Sequence, residues 1–182
     1  CQLLNVGTGK EKCVSVNVKN VNSASIQPWE EVLTKEHSYT PNSVIRPPDR
    51  GVKIIRKGTS DGCIKAFTPL TFGITTDTPT QCRIDYNRTG NYSDMQFYFG
   101  GSALYEYNHS QTMSLPGPNQ VNSENPTLIN DGKYNLYVKC KDGNQPPNYN
   151  DDLFVFSFCV DKGPDTTPPI IINTSILNGY PV

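Results

Sequence analysis

The chain has little of what marks a helical, membrane-embedded or nucleic-acid-binding protein. No apolar run reaches the length of about 18 residues that a membrane-crossing helix needs. Charged residues make up only 18%, and 16 Lys+Arg against 17 Asp+Glu leave a net charge of -1, so no basic face for nucleic acid is implied. Histidine occurs only twice, which leaves few imidazoles for acid–base chemistry near neutral pH. None of the six cysteines sits in a C-x-x-C pair, the spacing by which one tight turn supplies two zinc ligands. Long patterns of period 3.6 are missing too, because 14 Gly and 15 Pro interrupt the chain too often for long helices. Coiled coils, helical bundles and charged tails are thereby excluded.

What is present is a turn-rich, Asn- and Thr-rich chain of 182 residues, long enough for one ordinary domain or two small β-domains. Eighteen residues are Asn. The even cysteine set (Cys1, Cys13, Cys63, Cys82, Cys140, Cys159) is spread through strand-like sequence, which reads as disulfides and an oxidising compartment. Four N-x-[ST] sequons, at Asn87, Asn91, Asn108 and Asn173, point to a glycosylated, extracellular or cell-surface protein. A start at Cys1, with neither Met nor an apolar leader, is what a processed or excerpted segment would show.

Strand patterns run along most of the chain. Cys13-Val-Ser-Val-Asn-Val-Lys19 alternates Val with polar residues, a half-buried strand after a Gly7-Thr8-Gly9 hairpin turn. Residues 23–50 read as loop, with Pro28, Pro41, Pro47 and Pro48, and a two-turn helix is expected only over 29–36. Val52–Arg56 is a short strand. Gly58-Thr-Ser-Asp-Gly62 matches G-x-S-x-G formally but lacks the helix that a nucleophile elbow requires, and reads as an interdomain turn. Between Cys63 and Val160 follow strands over 67–75, 81–86, 95–99, 104–107, 134–140 and 153–160. In the fifth, Tyr134, Leu136, Val138 and Cys140 share the inward face; the sixth is apolar on both faces, as a covered central strand should be. After the stiff linker Gly163–Pro169 comes Ile170-Ile171-Ile172-Asn173-Thr174-Ser175-Ile176-Leu177, a two-faced apolar strand without a hairpin partner.

Three stretches carry a resemblance: Thr76-Asp-Thr-Pro-Thr-Gln-Cys82-Arg-Ile84, Asp131-Gly-Lys-Tyr134-Asn-Leu-Tyr-Val138-Lys-Cys140-Lys-Asp142-Gly-Asn144, and Phe154–Phe158 with Asp165-Thr-Thr-Pro-Pro169. Residues 63–169 resemble the immunoglobulin-like/fibronectin type III-like repeats of large prokaryotic cell-surface proteins. Asp142-Gly-Asn-Gln-Pro-Pro147 departs from the usual turn, and Cys63 and Cys159 are additional to the pattern. Residues 1–60, which the resemblance does not cover, read as a small β-rich N-terminal domain, an incomplete sandwich, so that the whole chain is expected to be all-β. The resemblance implies an immunoglobulin/fibronectin III-like β-sandwich (61–163) followed by a proline linker with a donor-type C-terminal strand (164–182). It further implies the disulfides Cys82–Cys140, between neighbouring antiparallel strands, and Cys63–Cys159, between first and last strands; Cys1–Cys13 would close the N-terminal hairpin.

No candidate cluster points to an enzyme. His37 and His109 read as solvated loop histidines without an orienting partner. Around Asp142, Asn144, Asn148, Asn150, Asp151 and Asp152 a calcium site is weighed against an Asn-rich turn; Pro146 breaks the calcium-loop pattern, and no metal or cofactor is expected. Tyr98, Tyr105 and Tyr137 face outward by alternation and suit either sugar stacking or cross-strand packing. The expected function is a structural subunit of an extracellular filament. Ile170, Ile171, Ile172, Ile176 and Leu177 would insert head-to-tail into a neighbouring copy, a strand addition that propagates rather than closes. The alternative is an adhesin or carbohydrate-binding module with surface glycans as partners.

Overall fold

The computed structural model describes residues 2–5, 11–14, 23–43, 45–117, 126–128 and 132–161. The linker and C-terminal strand (164–182), Asn173 and Cys1 lie outside the described residues, and with them the expected donor strand and the Cys1–Cys13 bond.

The described chain is all-β. β1 (Gln2–Asn5) and β2 (Glu11–Val14) form an antiparallel hairpin that aligns Leu3 with Cys13. The other strands are β3 (Ile26–Pro28), β4 (His37–Pro41), β5 (Arg50–Arg56), β6 (Ile64–Lys65), β7 (Pro69–Asp85), β8 (Phe97–Tyr98), β9 (Glu106–Ser114), β10 (Lys133–Asp142) and β11 (Phe154–Asp161). They make one sheet of nine strands, in the order β3-β7-β10-β11-β5-β4, with β8 and β9 also on β7 and β6 also on β11. β10 pairs antiparallel with β7 and β11, whereas β5 and β6 run parallel to β11. β11 is therefore flanked on both edges, which explains its near-continuous apolar sequence.

β7 organises this arrangement. Its first half pairs with β3 and β9, and its second half with β10 and β8. The change comes at a register shift between Thr75 and Thr80. There Thr76 Oγ1 donates to the carbonyl oxygens of Thr78 and Tyr107, giving the irregular backbone its partners. Pro79 falls inside this irregularity, where a missing N–H costs no ladder bond. The sheet then curls toward closure. The Tyr39 hydroxyl of β4 accepts from Gly73 N at 3.0 Å and lies 3.3 Å from Gly73 O on β7. Phe72, Phe99 and Phe156 pack inside, with Phe72 and Phe156 edge to face at 4.8 Å, alongside Leu70, Ile74, Ile84, Met113 and Leu136.

Three expectations are corrected. Residues 29–36 form no helix beyond a 3-10 turn over Glu30–Val32, and β3 and β4 occupy what reads as loop. The few apolar residues there, Trp29, Val32 and Leu33, are too few to pin two helical turns on the core. Second, the sheet continues across residue 60: β3, β4 and β5 belong to the same sheet as β7, β10 and β11, so Gly58–Gly62 is a turn within it. Gly58 and Gly62 both take positive φ (78° and 69°), the conformation glycine adopts without a Cβ clash. Third, the separate strands expected at 67–75 and 81–86 are one 17-residue strand that ends at Asp85, which leaves Tyr86 beyond it and exposed.

Candidate functional site

The outer face of β7, β10 and β11 carries the richest polar and aromatic chemistry of the described chain. Alternation along β10 turns Asn135, Tyr137, Lys139 and Lys141 outward, opposite the buried Tyr134, Leu136, Val138 and Cys140. Register sets Lys139 opposite Arg83, Tyr137 between Asp85 and Val155, and Asn135 opposite Ser157.

At one end, Arg83 holds a loop of aromatic residues against this face. Its Nη1 donates to the carbonyl oxygens of Ser93 and Met95 (3.2 and 2.9 Å), and its Nη2 to the Tyr98 hydroxyl (3.3 Å). The guanidinium lies over the Tyr92 and Tyr98 rings, each 4.9 Å from the centroid, and Lys141 Nζ stands 5.1 Å above Tyr92. The bond to Arg83 holds the Tyr98 phenol below its ordinary pKa, whereas burial pushes the Tyr92 phenol up. Tyr149 packs on Tyr92 at 5.7 Å and stays partly exposed, as does Tyr105. Of the tyrosines expected to face outward, Tyr105 is exposed while Tyr98 and Tyr137 are half-buried.

At the other end, the β4–β5 loop and the loop after β7 enclose a hollow of about 220 Å³. Val155 forms part of its lining and Tyr137 one wall. Arg88 spans the two loops: its Nε and Nη2 donate to Oδ2 and Oδ1 of Asp49 at 2.8 and 3.1 Å. On the opposite side Asn42 Nδ2 donates to Ser157 Oγ (2.6 Å), which donates to Asn135 Oδ1 (2.5 Å). Sequence reading missed Asp49, Arg88 and Asn42. The only signal was the outward phase of Asn135 and Tyr137, because even the nearest of the three in the chain, Arg88, lies 47 positions before Asn135.

The remaining candidates resolve as structural parts. Asp142 accepts from the backbone N and the Nδ2 of both Asn144 and Asn148, at 2.6–3.1 Å. Burial works against its charge, but these four donors outweigh it and hold the carboxyl below its ordinary pKa. The Asn-rich segment is thus a turn built around one carboxylate. No group of three His, Cys, Asp or Glu among the described residues is placed to hold a metal. Both histidines are buried, at 2% exposure, which corrects their reading as solvated loop residues. His109 points inward from β9 while its neighbours Asn108 and Ser110 face out. Its Nε2 lies 3.1 Å from the Glu106 carbonyl oxygen, and its ring stacks beside Phe99. Burial lowers the pKa of both histidines.

The structure holds disulfides between Cys63 and Cys159 and between Cys82 and Cys140, the latter two being direct register partners on β7 and β10. Asn87, Asn91 and Asn108 are exposed. Among the described residues no helix is long and apolar enough to cross a membrane. Comparison of the chain with protein-family models, curated proteins and solved structures gave no match.

Proposed function

We propose that the chain is a non-catalytic structural subunit of an extracellular filament or cell-surface assembly. The observation that carries this reading is the grip on β11. It is paired on both edges, and Cys159, two residues before its end, is bonded to Cys63 on the strand side that runs parallel to it. A pull applied through the following linker would load only the short pairing of Val160 and Asp161 before it reached this covalent tie. The exposed sequons Asn87, Asn91 and Asn108 suit the same setting. An immunoglobulin/fibronectin III-like sandwich is the arrangement we favour for residues 61–163, supported by the pairing of β6 with β11, the first and last strands within that range. The Cys82–Cys140 bond joins neighbours in one sheet, unlike the inter-sheet bond of antibody domains.

In this reading Ile170–Leu177 adds as a strand to the next copy, where β4 ends the strand order of the described sheet. Electron microscopy of the native chain should show filaments. Deletion of residues 168–182 should abolish them while leaving circular dichroism and melting temperature nearly unchanged. Filaments formed by the truncated chain, or this strand docked on its own sheet, would overturn the proposal.

A second reading, a carbohydrate-binding surface module, is favoured by a specific observation. Exposed Tyr105 and Tyr149 and the polar hollow lie on the face shared by β7, β10 and β11.

A further inference from the structure

We propose that the hollow between the β4–β5 loop and the loop after β7 binds a single pyranose ring that carries a carboxylate. The inference rests on the second reading above and gives it a site and a ligand class.

The hollow combines two kinds of surface that a simple ion would not need. Ile45 and the Tyr137 ring, with the buried Val155 beneath them, supply apolar area for the C–H face of a sugar. Around that area stand planar polar groups already fixed in place. The Asn42–Ser157–Asn135 chain joins the β4–β5 loop to two neighbouring strands, β11 and β10, so its amide and hydroxyl groups are set before any ligand arrives. The Asp49 side chain is only 6% exposed and is clamped by both donating nitrogens of Arg88. Fixed amides and a paired carboxylate–guanidinium are suited to adjacent ring hydroxyls, each of which both donates and accepts. At about 220 Å³ the hollow has room for one ring rather than a drug-sized ligand, since such pockets begin near ~300 Å³.

Charge decides the class of sugar. The lining holds two guanidiniums, Arg46 and Arg88, and one carboxylate, Asp49. Arg88 is neutralised by Asp49, and among the described residues no carboxylate pairs with Arg46. One positive charge at the rim is thus left for an acidic substituent.

The test is a titration of the isotopically labelled, unglycosylated full chain, followed by backbone amide shifts. The probes are sodium D-glucuronate, D-glucose and sodium acetate. Glucuronate should bind with a Kd of about 1–10 mM and shift Asn135, Ser157 and Arg88. Glucose should shift the same residues roughly tenfold more weakly, for want of the charge-assisted contact. Arg46→Gln should bring glucuronate down to the glucose level and leave glucose unchanged, a pattern that general unfolding cannot produce. Acetate binding as tightly as glucuronate would overturn the proposal in favour of a plain anion site. Shifts confined to Tyr105 and Tyr149 would overturn the hollow but keep the sugar-binding reading, and no shift with either sugar would remove both.

Discussion

Arg83 serves several acceptors with one guanidinium and ties the loop after β7 to the sheet. Replacing it with Met keeps most of the stem packing but leaves the carbonyl oxygens of Ser93 and Met95 without that donor. Arg83→Met is expected to cost about 1–3 kcal/mol in urea unfolding. It should also raise the titration of the Tyr98 phenol, followed by absorbance at alkaline pH, because the bond that lowers it is gone. The histidines set a pH dependence of known sign. His37 and His109 are buried and titrate below their ordinary value, so the unfolded chain binds their protons at a higher pH than the folded one. Stability is therefore complete above the unfolded value of about 6.5 and falls as pH drops through it. Melting temperatures measured between pH 7.5 and 5 should decline, and His109→Gln should flatten the decline. A melting temperature that rises toward pH 5 would contradict the buried, neutral histidines. Sequence alone placed these two residues in loops, because burial of a histidine depends on which strand face its neighbours cover.

β5 and β11 meet at a point where no side chain fits. A Cβ built on Gly51 would stand 1.9 Å from the carbonyl oxygen of Val155, a backbone atom that cannot swing away. Gly51→Ala should force the two strands apart and destabilise by about 1–3 kcal/mol or more. The loss should appear as a lower urea midpoint together with faster amide exchange in β5 and β11 than elsewhere. At this scale the sequence was legible where one face was wet. β10 alternates cleanly, and its inward set Tyr134, Leu136, Val138 and Cys140 is buried as the pattern implies. β7 was not legible as one element, because Thr76-Asp-Thr-Pro-Thr80 interrupts the apolar pattern between 67–75 and 81–86. Threonine hydroxyls and a proline instead let the strand pass through a register shift without ending.

Across the molecule, two covalent ties join parts of the chain that are 96 and 58 residues apart. Each removes conformational freedom from the unfolded chain, so replacing Cys82 and Cys140 together by Ala should cost about 2–4 kcal/mol in denaturant unfolding. An unchanged midpoint would show that this tie does not constrain the unfolded ensemble. Surface chemistry follows the same large-scale logic. Asn87, Asn91 and Asn108 are exposed on the described part of the chain, where a sugar can project into water. At least two of the four sequons should be occupied in native material. Intact mass before and after enzymatic deglycosylation measures this, and the bare polypeptide mass in native material would refute it.

Composition and periodicity by themselves determined the class of the protein. Abundant Gly and Pro, scarce charge and period-two runs leave a β architecture with a wet and a dry side. What only the tertiary structure decided is which strands share a sheet. β3, β4 and β5 look like a separate region in sequence, yet they complete the sheet of β7, β10 and β11 through pairings between residues tens to a hundred positions apart. The same holds for the hollow. Asp49 and Arg88 are 39 residues apart and Asn42 and Ser157 are 115 apart, and neither pair leaves a local pattern. Hydrophobic alternation is a property of neighbours along the chain, whereas a charge pair or a hydrogen-bonded chain across strands depends on register and closure, which the whole sheet settles together.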